Sequence, residues 1–116
     1  MNKELPKNIE AEKCLLGSMF WSRESLQRGC EEADKDIFYL DSHGKIFDAI
    51  KSLYLNDTPV DITSVTTYLI NINKIGEVGG VEYLNEVVNS VATGANIEYY
   101  INLVSENIIN LEKIIV

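Results

Sequence analysis

Residues 58–84, TPVDITSVTTYLININKIGEVGGVEYL, decide the fold. Pro59 fixes its own φ and cannot continue a helix out of Asn56–Asp57. Asp61 is a good N-cap placed just before the first periodic apolar residue. Ile62, Val65, Thr66, Leu69 and Ile72 then recur on one face at helical spacing. Gly76, Gly79 and Gly80 punctuate a connection, after which Val81, Leu84, Val87, Val88 and Val91 resume the period. The glycines read as structural, a C-cap for the first helix and a tight entry to the second. KIGEVGG matches neither the dinucleotide fingerprint nor a phosphate loop. The stretch is two amphipathic helices joined by a glycine-marked corner, and it carries no visible chemistry.

Upstream, Asp41 or Ser42 is placed to cap a helix running to Leu55, with Ile46, Phe47, Ile50, Leu53 and Tyr54 on its apolar face. Ile37–Leu40 is a short apolar run that reads as a helical turn or an extended plug in the core. Ser22 can cap a helix to Glu31, with Leu26 and Cys30 four residues apart. In the first helix Asn8 is the candidate cap and Glu10 lies in the first turn, where the helix dipole favours an acid. Ile9, Leu15, Leu16, Met19 and Phe20 cover an arc of roughly 140°. Downstream, Ser90–Ala95 is a small-residue loop and Asn96 caps the last helix. Ile97, Tyr100, Ile101, Val104, Ile108, Leu111 and Ile115 form a stripe that runs to the end, widened by Leu103 and Ile114. A helix apolar to its last turn needs another surface to cover it, so Ile108, Leu111, Ile114 and Ile115 are the candidate self-association residues. The chain reads as cut inside this element.

The pattern predicts an all-α fold, a compact orthogonal bundle of about six helices near residues 9–20, 22–31, 42–55, 62–73, 81–90 and 97–113. At 116 residues it is expected to be a single domain over residues 1–116. His43, Phe47, Ile50, Val65, Leu69, Leu84, Val88, Ile97, Ile101 and Val104 are the expected core.

Ten basic residues against eighteen acidic ones give a net charge of −8, which argues against direct binding to a phosphate backbone. No apolar run approaches membrane-spanning length, and the start, MNKELPKNIEAEK, has no apolar core of a signal peptide. The expected location is cytoplasmic, with Cys14 and Cys30 as free thiols.

Two residues invite a chemical reading. Glu12 falls inside the apolar arc of the first helix, where it reads as a glutamate bonding to nearby backbone donors or reaching to the rim. A catalytic carboxylate there has no visible partner. His43 sits in register with Phe47 and Ile50 and reads as a partly buried structural residue with one ring nitrogen bonded. It is the only histidine, so a histidine-based metal site has no second ligand, and no motif supports a dyad with Cys14 or Cys30. No catalytic, cofactor-binding or metal residue is assigned.

Five segments carry a family resemblance: LPKNIEAEKCLLGSMF, DIFYLDSHGKIFDAI, PVDITSV with TYL, IGEVGGVEYLNEV, and ANIEYYINLVSE. Taken in order they resemble the N-terminal domain of DnaB-type replicative DNA helicases. The resemblance rests on Pro6, Asn8, Glu10, Ala11, Glu12, Leu16 and Gly17; on His43, Ile46 and Phe47; and on Pro59 and Asp61. It continues through Gly79, Gly80, Tyr83 and Leu84, then Ala95, Asn96, Ile97 and Tyr100. It implies a non-catalytic oligomerisation and docking domain of a hexameric, ring-shaped helicase. The ring's motor would use ATP and Mg in a domain absent from this chain. The partners it implies are other copies of the chain, primase and a helicase loader, with little direct DNA contact. It also implies that the last helix is the first arm of a helical hairpin. One departure is Phe20-Trp21-Ser22, where family members often carry a Leu-Asp pair. The competing readings are a free-standing acidic helical adaptor that binds helicase or primase without a motor, and a small enzyme using Glu12 or His43. A pocket holding those two side chains within hydrogen-bond reach would favour the enzyme.

Overall fold

The computed structural model describes the backbone of residues 7–115 and the side chains of residues 9–106. Six α-helices run in order: α1 Lys7–Ser18, α2 Arg23–Glu32, α3 Asp41–Leu55, α4 Ile62–Asn71, α5 Gly80–Val88 and α6 Ile97–Ile115. Short 3₁₀ turns at Lys35–Ile37 and Gly76–Val78 lead into α3 and α5. No strand occurs among the described residues.

Local chemistry sets the helix ends. Ser22 accepts from the Ser25 N–H at 3.0 Å and Asp61 from the Ser64 N–H at 2.8 Å, which opens α2 and α4 as the sequence predicts. Asp57 and Asn73 take the left-handed conformation, with φ of 58° and 60°. The next N–H in each case reaches back to the last turn, Thr58 to the Leu53 carbonyl at 2.9 Å and Lys74 to the Leu69 carbonyl at 2.8 Å. These are Schellman closures that use a short polar residue in place of glycine. The left-handed position after the C-cap of α4, expected to be a glycine, is therefore filled by Asn73. The glycines belong to the corner after it, where Gly79 and Gly80 have φ of 99° and 74° and the Gly80 N–H closes on the Ile75 carbonyl at 2.9 Å.

Two expected caps are not formed. α1 already contains Asn8 in its first turn. α3 starts at Asp41, and neither Asp41 nor Ser42 caps it; Leu40 holds the cap position with no side-chain bond of its own.

α6 packs chiefly along α1, which also lies against α5 and α3. The core gathers Leu15, Leu16 and Met19 of α1 with Ile46, Phe47 and Ile50 of α3. Val65 and Leu69 of α4, Leu84 and Val87 of α5, and Ile97, Ile101 and Val104 of α6 complete it. Gly17 lets α1 approach α5, since a Cβ there would stand 2.3 Å from the Val87 carbonyl oxygen. The Ile37–Leu40 run is a 3₁₀ turn that then extends, burying Phe38 against the core and leaving Tyr39 exposed.

Three expected positions on the faces of α4 and α5 are rotated or cut short. Val87 is the buried residue of its pair and Val88 is half-buried. Ile72 and Val81 are exposed, one being the C-cap of α4 and the other lying in the first turn of α5. Both lie at helix ends, where an idealised helical wheel no longer describes side-chain direction.

Candidate functional site

α1, α3 and α5 each send one polar side chain to a common point in the interior. The Glu12 carboxylate from α1 is 1% exposed and the His43 imidazole from α3 is 0% exposed. Glu12 Oε1 lies 2.7 Å from His43 Nδ1. Its other oxygen accepts from the Tyr39 N–H at 2.5 Å, and Oε1 also lies 3.4 Å from the Leu40 nitrogen. His43 Nε2 lies 2.6 Å from the hydroxyl of Tyr83 on α5. The network assigns the tautomer: Nδ1–H donates to the carboxylate, which leaves Nε2 to accept the Tyr83 O–H.

Glu12 thus bonds to backbone donors as the sequence suggests, but to those preceding α3 and not to those of its own helix. Those donors belong to Tyr39 and to Leu40, the cap residue of α3, so the carboxylate holds the chain that leads into that helix. His43 differs from expectation in being wholly buried with both ring nitrogens bonded. Its ring stacks on Tyr83, with centroids 5.8 Å apart and planes 14° apart, and meets Phe38 edge-on at 6.5 Å. Gly79 makes room for the phenol, because a Cβ there would stand 2.7 Å from the Tyr83 Cβ. Burial raises the Tyr83 hydroxyl above its ordinary range, which keeps it the neutral donor this geometry needs. Over the cluster, Lys13 of α1 bonds Glu86 of α5 at 2.8 Å and Glu10 at 3.0 Å. Those two bonds, Glu86 first, hold the ammonium well above the usual lysine range.

Glu12 and His43 are within hydrogen-bond reach, which is half of the enzymatic condition. The other half fails: both are sealed, and the surface grooves nearest by sequence are lined by neither. Catalysis requires substrate to touch the reacting groups. The cluster instead satisfies every strong buried donor it meets, which is how a polar network fixes one packing of three helices. Among the described residues no group of His, Cys, Asp and Glu could hold a metal ion, and Cys14 and Cys30 are both free thiols. No helix of the described residues is long and apolar enough to cross a membrane. The candidate self-association residues Ile108, Leu111, Ile114 and Ile115 lie outside the residues whose side chains are described.

Sequence reasoning considered Glu12 and His43 together only as the groups of a possible enzyme and did not connect Tyr83 to them. The signal available was that each stands in a different segment of the resemblance, and those segments converge here.

The fold and this cluster define an all-helical domain whose first, third and fifth helices are locked by a buried polar relay. The profile of the DnaB-like helicase N-terminal domain matches residues 4–106, and the chain belongs to that family. It is 45% identical over 101 residues to the replicative DNA helicase DnaC of Bacillus subtilis (strain 168), covering 87% of this chain and 22% of that protein. It is 39% identical, over the same shares, to the replicative DNA helicase DnaB of Geobacillus stearothermophilus. The crystal structure of the N-terminal domain of DnaB helicase from Mycobacterium tuberculosis superposes with a TM-score of 0.80 at 32% identity, covering 84% of this chain and 69% of that one. The chain spans less than a quarter of the length of these two helicase relatives.

Proposed function

We propose that this chain is the non-catalytic assembly and partner-docking domain of a hexameric replicative DNA helicase. The observation that carries the reading is family membership across residues 4–106, joined to 45% identity with a protein named as a replicative helicase. The site chemistry agrees, since its polar cluster is sealed and serves packing. In this reading the parent unwinds duplex DNA at the replication fork, and ATP and Mg serve a motor domain outside this chain. The domain's partners are other copies of itself, primase and a helicase loader. The −8 charge leaves little role for direct contact with DNA phosphates. Self-association uses the end of α6 through Ile108, Leu111, Ile114 and Ile115.

The test is a chimera in which this chain replaces the matching segment of the Bacillus subtilis relative. A hexamer that unwinds a forked duplex with ATP supports the proposal. A chimera that folds but stays monomeric refutes the assembly role. Sedimentation equilibrium of the isolated chain and of Leu111→Glu/Ile115→Glu then tests the handle. Equal dimerisation of both would place the self-association surface elsewhere.

A further inference from the structure

We propose that Trp21 and Glu24 form an anchor site for a cationic side chain, Lys or Arg, presented by a partner polypeptide. The site is a surface groove of about 450 Å³ where α1 ends, α2 begins and the loop before α6 passes; Trp21, Glu24, Arg28, Gly94 and Glu98 are among the residues lining it.

Trp21 is 46% exposed, yet its ring is not free to turn. The indole N–H donates to the Val88 carbonyl at 3.3 Å, which fixes the plane and leaves much of the ring open. A large aromatic side chain held in one orientation at the surface loses little further entropy on binding, and such residues dominate interface energetics. Tryptophan is also the best aromatic surface for a cation.

The charges around it select the partner. Arg28 pairs with Glu98 and Glu32, while its Nε finds no hydrogen-bond partner among the described residues. Glu24 has no ion pair among the described residues and lines the same groove. Glu98 is answered by Arg28, which leaves Glu24 as the acid of the groove with no cationic partner among the described residues. A Lys or Arg side chain laid on the indole would bring its charge to the Glu24 carboxylate. A purely apolar occupant would strip water from that carboxylate without compensation. A phosphate backbone would meet two carboxylates. The inference goes beyond the assembly reading, and its test involves no oligomerisation.

Trp21 is the only tryptophan, so its indole N–H resonance reports on the groove directly. The experiment titrates ¹⁵N-labelled protein with acetyl-Ala-Arg-Ala-amide. The comparison peptides carry Glu or norleucine in the central position, and a dT oligomer forms the last arm. The expected result is a saturable shift of the Trp21 indole and of the Glu24 and Gly94 amides with the Arg peptide alone. Glu24→Gln and Trp21→Leu should each weaken that binding about threefold or more. Glu24 is exposed, so its variant keeps the test decisive even where Trp21→Leu disturbs the Val88 contact. The proposal is overturned by any one of four results: no saturable shift with the Arg peptide, an equal shift with norleucine, tighter binding of the dT oligomer, or unchanged affinity in Glu24→Gln.

Discussion

Replacing Glu12 by alanine removes the acceptor that ties α1 to His43 and to the segment leading into α3. Two good donors lose their partner inside the protein, the Tyr39 N–H and the His43 Nδ1–H; the Leu40 N–H, at 3.4 Å, was only weakly held. Each orphaned buried donor costs about 1–3 kcal/mol. The lost side chain also leaves a void that water, with no open path to a residue 1% exposed, does not readily fill. Together these put Glu12→Ala at about 3–5 kcal/mol, the range for breaking one side of a buried polar pair. Domains of this kind hold about 5–15 kcal/mol in total, so the variant should be marginal at 37 °C. Glu12→Gln keeps the shape and one acceptor oxygen but turns an amide N–H₂ towards a donor, and should cost about 1–3 kcal/mol. Urea unfolding followed by far-UV circular dichroism measures both, with Glu10→Ala, an exposed residue two positions away, as the reference. The reasoning fails if Glu12→Ala costs less than about 1 kcal/mol, or no more than Glu10→Ala.

Leu16→Ala and Leu69→Ala, both at fully buried positions, should each cost about 2–5 kcal/mol, while Lys74→Ala should stay within about ±0.5 kcal/mol. The same melts report all three, and equal effects would mean the helix faces are misassigned. Gly17→Ala should cost about 1–3 kcal/mol, because its Cβ meets backbone of α5 that cannot rotate away; a neutral result would show that α1 and α5 are further apart. Burial pushes the Cys30 thiol from its ordinary 9.0 up to about 11. The fold favours the neutral thiol, so its contribution is full below pH 9 and is lost as pH rises from 9 to about 11. Wild type should therefore lose more stability than Cys30→Ala across that window, and iodoacetamide at pH 8 should label Cys30 only in denaturant. The isolated chain should show no ATP hydrolysis and only weak, salt-sensitive DNA binding; submicromolar affinity for single-stranded DNA at physiological salt would contradict the charge argument.

The sequence by itself determined the helices and the starts of α2 and α4. Asp61 and Ser22 cap where they were expected to because a cap is a bond between residues three apart, and the turn contains everything needed to predict it. The buried faces of α1, of α3 and of the described side chains of α6 follow from period alone, for the same reason. Family membership was legible too, because its motif residues keep their order along the chain. The tertiary structure alone decided what Glu12, His43 and Tyr83 do. They stand 31 and 40 residues apart in sequence, and no local pattern pairs them. It also decided that a carboxylate from α1 holds the Tyr39–Leu40 segment leading into α3, and that neither Asp41 nor Ser42 caps that helix. It chose Val87 over Val88, and it left Ile72 and Val81 in water. Each of these depends on how helices cross and where they stop, which are relations between distant surfaces. A buried carboxylate is tolerable only where the fold brings donors to it, so the sequence could mark Glu12 as unusual, while only the packing could supply its partners.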